Sequence, residues 1–355
     1  MSGMSVAAKT DPGNFFEDFT LGQVIEHATP RTVTEGDRAL YGAIYPTRFA
    51  VASSAEFAAA VGLVPHPVEE LIGFHIAFGK TVPDVSLNAV ANLGYAECRF
   101  HVPVVPGDTL RTRSEVIGLK ENSNRRTGVV WVRSVATNQR GEVAIDWARW
   151  VMVHKRSVVS GGSGTPIPQT VVPALSDAVA ASDLVVPPGL DFTSYDVVAA
   201  GSPHLLGDYE VGERIDHVDG VTLTDAEHTM ATRLWQNTAK VHFNTDARAD
   251  GRRLVYGGHV ISMARALSFN GLANAQLIAA INAGAHVAPA FAGDTVYAWS
   301  EVLDTVAVDA PGVGALRLRL VATKGRDASM TLRSDDGTYA DGVLLDLDYW
   351  AFVPR

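Results

Sequence analysis

The feature that most constrains the fold is an internal repeat, in which segments of the first half of the chain recur in the same order in the second half. Three pairs of segments carry the repeat: FFEDFTLGQVI (15–25) and LLGDYEVGERI (205–215), RTVTEGD (31–37) and VTLTDAE (221–227), PVVPGDTL (103–110) and PAFAGDTV (289–296). The separation within the pairs stays at 186–190 residues. We therefore expect a duplicated domain, with both copies folded alike.

The boundary between the copies is marked by a change in composition. The segment SVVSGGSGTPIPQTVVPALSDAVAASD is rich in Ser, Gly and Pro and begins at residue 157. Such a composition is typical of a linker. We predict a first half over residues 1–156, a linker over 157–200 and a second half over 201–355.

Each half combines a helical pattern with a series of alternating strand-like runs. Helix-like spacing of apolar residues occurs over 50–62, over 78–94 with Pro83 in the first turn, and over 257–275. Strand-like runs follow, among them AECRFHVPV, TLRTRSEVIGL, GVVWVRSVATN and AIDWARWVMVHK in the first half. Strands that follow one another without helices between them favour an antiparallel sheet packed on one long helix. The predicted fold class is therefore α+β.

Composition excludes several classes of function. The net charge of −10 argues against a nucleic-acid partner, which would need a basic surface. Cys98 is the one cysteine, so no internal disulfide or Cys-based metal site can form, and we expect it to be a buried packing residue. The histidines show no spacing typical of a metal site. Without a secretory signal or an apolar run of ~18 residues, we expect a cytoplasmic protein that makes no membrane contact.

One histidine stands in a tract with little charge. His242 lies in WQNTAKVHFN (235–244), where the neighbouring charge is Lys240. A histidine in this setting is either a packed core residue or a proton carrier, because imidazole titrates near neutrality. The sequence alone leaves both interpretations open.

A resemblance to a known family favours the second interpretation. Duplication, a helix with a Gly-rich start and an antiparallel sheet together resemble the hotdog fold, and FHVPVVPGDTL (100–110) resembles a strand start of the MaoC-like, R-specific enoyl-CoA hydratases. The branch of that family that hydrates mesaconyl-CoA is similar in further stretches: LYGAIYPTRFAVASS, FGKTVPDVSLNAVANLGYA, RWVMVHKR, RLWQNTAKVHF and LVYGGHVISMARALSFNGLANA. The resemblance implies a double hotdog and reversible hydration of mesaconyl-C1-CoA to β-methylmalyl-CoA, with a CoA thioester as substrate and no cofactor.

The family motif Asp-x-Asn-Pro-x-His, followed later by His-Gly, places the site residues in the second half. His242 falls on the motif histidine, Asn237 stands where the family has Asp, and Gly257-Gly258 stands for His-Gly. The resemblance implies that His242 carries protons. A glycine at a helix start also suits an oxyanion, because it allows close approach to unpaired N–H groups, and we assign this role to Gly258 beside Gly257.

The first copy lacks both acid–base groups of the motif. Arg48 occupies the histidine position, Ala43 the Asp position, and Phe78-Gly79 the His-Gly position. We expect this half, including Gly79, to build the substrate pocket. Arg48 is either a ligand for the free carboxylate of the substrate or part of a structural salt bridge, and Lys240 is the competing carboxylate ligand.

Asn237 raises a chemical difficulty, because an amide cannot accept a proton from water. In one hypothesis, His242 is both acid and base and Asn237 positions the water. In the other, a carboxylate assists, either that of the substrate or that of Glu35 or Asp225.

Other functions remain open at this level. A hotdog thioesterase would need a carboxylate at the start of the hotdog helix, which Gly258-His259 does not supply. Another enoyl-CoA hydratase or dehydratase, and a non-enzymatic acyl-CoA-binding module, are further alternatives. The two halves can pair within one chain, so assembly into a homo-oligomer is optional.

Overall fold

The first half contains two short edge strands, a helical segment and four long strands. The computed structural model describes residues 9–156 and 170–355. After a 3-10 turn at Phe16–Asp18, the elements are β1 (Val24–Glu26), β2 (Arg31–Thr32), α1 (Glu35–Ile44), α2 (Ala50–Ser53), α3 (Ala55–Ala60), α4 (Glu70–Thr81), a π-helical turn (Val82–Ser86), β3 (Ala89–Phe100), β4 (Thr109–Glu121), β5 (Thr127–Thr137) and β6 (Val143–His154).

The second half follows a similar order, with one longer strand in place of β1 and β2 and with 3-10 turns in place of α2 and α3. Its elements are α5 (Val197–Ala200), β7 (Arg214–Thr222), α6 (Asp225–Leu234), α7 (Gly257–Leu267), α8 (Phe269–Leu272), β8 (Leu277–His286), β9 (Thr295–Ala307), β10 (Val313–Lys324) and β11 (Val343–Pro354), with 3-10 turns at Ala181–Asp183, Leu206–Asp208, Lys240–His242 and Thr245–Ala247.

One antiparallel sheet joins the two halves. Among the described residues it has eleven strands in the order β1-β4-β5-β6-β3-β8-β11-β10-β9-β7, with β2 paired to β4. The central pair β3–β8 brings Tyr95 opposite Gly284 and Cys98 opposite Ile281. Long helices α4 and α7 pack against the sheet and contribute to one continuous hydrophobic core. The predicted α+β layout of an antiparallel sheet on a long helix in each half is confirmed.

The repeat is visible in local hydrogen bonds. Asp18 accepts from the Phe15 N–H at 2.9 Å, and Asp208 accepts from the Leu205 N–H at 2.8 Å. Thr34 caps α1 as Thr224 caps α6, each accepting from a backbone N–H three residues later. These matched turns and caps confirm that the halves fold alike.

The helix predicted over 78–94 is wrong. The helix of the first half is α4 (Glu70–Thr81), Pro83 lies in the following π-helical turn, and strand β3 begins at Ala89. Residues 71–81 are buried on all sides, which removes the periodic pattern from which a helix is read. The helix predicted over 50–62 is interrupted at Ser54, whose side chain caps α3.

The described part of the predicted linker packs on the sheet. Val171 pairs with Leu119 as an isolated bridge. Val179 is buried, donates its N–H to Asn282 Oδ1 at 2.9 Å and accepts from the Trp350 indole at 3.0 Å. Residues 157–169, the Gly-rich part, lie outside the described residues, so the 1–156 and 201–355 boundaries stay a prediction.

Two smaller expectations concern Cys98 and membranes. Cys98 is free and buried in β3, as predicted. Among the described helices, none is long and apolar enough to cross a membrane.

Candidate active site

A cavity of about 390 Å³ lies where the two halves meet. It is bounded by the start of β3, by β6, by the turn that contains His242, by the start of α7 and by the end of β8. Its polar lining consists of Ser86, Asn92, Tyr95, Arg149, Asn237, His242, Arg248, Tyr256 and His286. This lining contains two arginines and no carboxylate, although the whole chain has a net charge of −10. The cavity therefore suits an anionic ligand.

His242 presents one ring nitrogen to this cavity. Its Nδ1 lies 2.7 Å from the Leu254 carbonyl oxygen, which can only accept, so Nδ1 carries the proton and Nε2 holds a lone pair. The 3-10 turn Lys240–His242 buries the ring against Tyr256, with ring centroids 5.7 Å apart. Burial lowers the pKa of His242 to about 4, so the ring is neutral at physiological pH. Nε2 can accept a proton from water in the cavity.

The start of α7 supplies unpaired N–H groups. Tyr256 caps this helix without a side-chain hydrogen bond, and no acceptor among the described residues takes the N–H of Gly257 or Gly258. Gly257 lines the cavity, whereas Gly258 is buried beneath Tyr256 and His75. A Cβ on Gly257 would lie 2.4 Å from His286 Cε1, so only glycine fits there. Gly257 is thus the more exposed of the two candidate donors.

Asn237 lies in the same wall with its amide orientation fixed. Its Oδ1 accepts from the Ala239 N–H at 2.9 Å, and the residue is 4 % exposed. Its Nδ2 makes no hydrogen bond to the described residues, so the cavity-lining amide has a donor to offer. The structure thus brings Asn237, His242 and Gly257 into one cavity.

Arg149, which the sequence did not single out, is the most unusual group of the lining. It lies on β6 with no exposed surface, and its guanidinium stacks over the Phe78 ring at 4.3 Å. Nη2 donates to Thr81 Oγ1 at 2.6 Å, whereas Nε and Nη1 have no partner among the described residues. Burial lowers the pKa of Arg149 to about 10, which leaves it charged at neutral pH.

Tyr95 and His286 form a hydrogen-bonded pair in the cavity wall that the sequence did not predict. The Tyr95 hydroxyl and His286 Nε2 lie 2.8 Å apart across the central strands β3 and β8. Burial lowers the pKa of His286 to about 4, so it is neutral beside the start of α7. This pair holds the imidazole directly over Gly257.

Several residues predicted for the site lie elsewhere. Arg48 is exposed and stacks over the Phe269 ring at 4.4 Å, outside the cavity lining. Gly79 lies near the end of α4, where a Cβ would be 2.0 Å from the Trp235 carbonyl oxygen, so it permits close packing of the halves. Lys240 is exposed and does not line the cavity.

The two carboxylates considered as assistants are also remote. Glu35 pairs with Arg38 at 3.1 Å, and its side chain is 73 % exposed. Asp225 pairs with Arg253 at 2.6 Å and contacts His228. Neither belongs to the cavity lining.

The start of α4 is the counterpart of the start of α7. The Val68 N–H donates to the Val104 carbonyl, and in the second half the Val255 N–H donates to the Ala290 carbonyl in the same way. Glu70 is therefore the residue of the first half that is equivalent to Gly257. Glu70 accepts from the Ile278 N–H at 3.1 Å, and burial raises its pKa to about 7. The adjoining cavity is only about 30 Å³, room for about one water. Glu70 is therefore the carboxylate at the start of a hotdog helix, but it lies beside a much smaller cavity than the one that contains His242.

Comparisons with known proteins show the family of the chain. The sequence model of the family described as mesaconyl-CoA hydratase matches residues 3–338. The chain belongs to the mesaconyl-CoA hydratase family. It is 65 % identical over 347 residues to "Mesaconyl-CoA hydratase" of Cereibacter sphaeroides, covering 98 % of this chain and 100 % of the relative. It is 57 % identical to "Beta-methylmalyl-CoA dehydratase" of Chloroflexus aurantiacus, covering 99 % of both.

Solved structures of the wider family share the fold. A MaoC-domain dehydratase from Chloroflexus aurantiacus superposes with a TM-score of 0.94 at 57 % identity, covering 98 % of this chain and 99 % of the other. A Mycobacterium tuberculosis protein with a double hotdog fold superposes with a TM-score of 0.72 at 28 % identity, covering 96 % and 98 %. The predicted double hotdog and MaoC-like resemblance are confirmed.

Proposed function

We propose that the cavity between the halves is the active site of a hydro-lyase that reversibly adds water to mesaconyl-C1-CoA and forms β-methylmalyl-CoA. The observation that carries the proposal is the position of His242, whose unprotonated Nε2 faces the cavity that also contains the start of α7. Relatives at 65 % and 57 % identity bear the names of the two directions of this reaction.

The reaction needs a base for water, an acid for C2 and donors that stabilise the thioester oxygen, and the cavity supplies candidates for each role. His242 Nε2 takes a proton from water while the hydroxyl oxygen bonds to C3, the alkene carbon that bears the free carboxylate. Electrons move toward the thioester oxygen as an enolate forms. The resulting imidazolium then returns a proton to C2, which restores the thioester and the neutral ring.

The thioester oxygen gains negative charge in this step, and the start of α7 is suited to stabilise it. The unpaired N–H groups of Gly257 and Gly258 stand at the positive end of the helix dipole. Gly257 is the donor that lines the cavity, so we assign it the principal contact and Gly258 a supporting position.

Asn237 serves as a hydrogen-bond donor rather than a base. Because Oδ1 is engaged by Ala239, the Nδ2 group can hold the attacking water or an oxygen of the substrate. No carboxylate from the described residues lines the cavity, which favours the hypothesis that His242 is both acid and base.

Two assays separate this function from its rivals. Incubation with mesaconyl-C1-CoA should remove the absorbance of the enoyl thioester without releasing free CoA thiol, and crotonyl-CoA should react less well. Thiol release at the rate of absorbance loss would indicate a thioesterase. Tight binding without either change would indicate an acyl-CoA-binding module.

A further inference from the structure

Arg149 carries a positive charge that nothing else in the described chain neutralises. Its side chain is fully buried, and its described polar partners are the hydroxyls of Thr81 at 2.6 Å and Ser86 at 3.5 Å. No carboxylate of the described residues forms an ion pair with it, and Nε and Nη1 lack any acceptor there. A buried charge without a counterion is unfavourable, so such a group normally has an anionic partner.

The surroundings of Arg149 point to a ligand as that partner. Arg149 is one of the residues that line the cavity containing His242. Asn92 lies nearby on the adjacent strand β3, and both polar atoms of its side-chain amide are shielded from solvent without a hydrogen-bond partner among the described residues. A ligand that carries oxygen atoms can supply hydrogen-bond partners to both sets of polar atoms.

We propose that Arg149 binds the free carboxylate of the substrate and thereby selects a dicarboxylic acyl group over a monocarboxylic one, an assignment that rests on the proposed hydration of mesaconyl-C1-CoA. Asn92 contributes the neighbouring amide donor. The carboxylate is attached to C3, so the ion pair fixes the carbon to which the hydroxyl group is added.

Other cations are poorer candidates for this role. Arg248 lines the cavity but already pairs with Asp250 through Nε at 3.0 Å and Nη2 at 2.7 Å. Arg48 and Lys240, the two cations that the sequence suggested, are exposed and outside the lining. Arg149 is the cavity-lining cation that has no carboxylate partner among the described residues.

The pairing also explains selectivity in physical terms. An apolar group placed beside Arg149 would leave the guanidinium buried and unpaired, whereas a carboxylate would supply charge-assisted hydrogen bonds. A substrate with a methyl group at that position should therefore bind and react poorly.

The test compares mesaconyl-C1-CoA with tiglyl-CoA, which has a methyl group in place of the carboxylate and the same double-bond geometry. For Arg149→Gln we expect kcat/KM for mesaconyl-C1-CoA to fall roughly 10²- to 10³-fold, as for removal of one partner of a buried charge pair. The value for tiglyl-CoA should stay the same or rise, because that substrate forms no ion pair with Arg149 and the substitution removes a buried unpaired charge. Equal losses for both substrates, or no loss for mesaconyl-C1-CoA, would overturn the proposal.

A matched control is available in the second half. Arg265 is also buried, stacks over the Phe49 ring at 3.6 Å and has an Nε without a described partner, but it does not line the cavity. Arg265→Gln should leave the preference between the two substrates as it is in the wild type. A change of preference as large as that of Arg149→Gln would show that the effect is not local to the cavity.

The kcat/KM values of the wild-type protein for the two substrates keep the test decisive. If Arg149→Gln does not fold, the wild-type protein alone is informative: we expect at least roughly a 100-fold preference for mesaconyl-C1-CoA, and equal kcat/KM values would contradict the assignment. A wild-type protein that hydrates neither substrate would instead contradict the proposed function. Hydration of mesaconyl-C1-CoA with no selectivity contradicts only the role of Arg149.

Discussion

The Nδ1 proton of His242 is donated to the carbonyl oxygen of Leu254 at 2.7 Å, and this contact fixes which nitrogen can react. The same orientation that satisfies a buried ring also leaves Nε2 free at the cavity. The sequence alone allows His242 to be either a core residue or a catalytic one. In the structure its ring is buried while Nε2 is free to react.

Removal of the imidazole should abolish the chemistry. We expect His242→Gln to lower kcat at least roughly 10³-fold, because general acid–base catalysis contributes on the order of 10²- to 10⁴-fold. The measurement is the loss of enoyl-thioester absorbance. His217 offers a matched control, because it is buried, donates to a backbone carbonyl (Asn270) at 2.7 Å and has a pKa lowered to about 4, but lies outside the cavity lining. His217→Gln should keep kcat within about threefold of the wild type per folded molecule, and an equal loss would contradict a specific role for His242.

Asn237→Asp separates the donor role from a lost base. The carboxylate would keep the contact to the Ala239 N–H but would replace the Nδ2 donor with negative charge beside an anionic substrate. We expect kcat/KM for mesaconyl-C1-CoA to fall by roughly 10- to 100-fold in this variant. Asn237→Ala should lower the same quantity by a similar factor. An increase in kcat for Asn237→Asp would support the view that a catalytic carboxylate has been lost from this position.

Gly257→Ala tests the start of α7. The added Cβ would lie 2.4 Å from the His286 ring, so either the helix start or the imidazole must move. We expect kcat to fall by roughly 10²-fold, as for loss of one oxyanion donor. Gly42 on α1 has open space within 4 Å of the position that a Cβ would take, so Gly42→Ala should leave kcat at the wild-type value and serves as control. Wild-type kcat in Gly257→Ala would exclude this glycine from the oxyanion site.

Stability should fall in mild acid. Burial lowers the pKa of five histidines to about 3 or 4: His75, His217, His242, His259 and His286. Their unfolded forms titrate near 6.5, so below that pH the unfolded state binds more protons and is favoured. Glu69 and Glu70, whose pKa burial raises, act in the opposite direction. Because the five histidines outnumber the two carboxyls, the net effect is a free energy of unfolding that falls as the pH decreases below about 6.5.

Urea unfolding at a series of pH values checks this expectation. The free energy of unfolding should decrease steadily from pH 7 to pH 5, and His217→Gln should show a shallower decrease by about one proton. A free energy of unfolding that is constant over this range would contradict the neutral, buried state of these histidines.

Much of the fold follows from sequence because the repeat is strong. Matched turns at Asp18 and Asp208 and matched caps at Thr34 and Thr224 are local interactions, and local hydrogen bonds leave recognisable residue patterns. The helix of the first half was misplaced because α4 is buried all round and has no polar face from which to read its period.

The site also contains residues that the sequence predicts and residues that only the fold brings together. His242 and the glycines at the start of α7 are found by a motif, because their spacing along the chain is short. Arg149 and Tyr95 come from strands of the other half, and only the pairing of β3 with β6 and β8 brings them to the cavity. Arg149 does stand in a resembling stretch, RWVMVHKR, but its missing counterion can be recognised only from its burial.

The proposed function depends on water addition across the double bond of mesaconyl-C1-CoA through His242. The most direct measurement is mass spectrometry of that thioester after incubation in H₂¹⁸O with wild-type protein and with His242→Gln. The wild type should yield an intact CoA thioester heavier by one labelled water, and the variant should leave the substrate unchanged. Labelled product formed equally fast by the variant, or free CoA in place of the hydrated thioester, would contradict this mechanism.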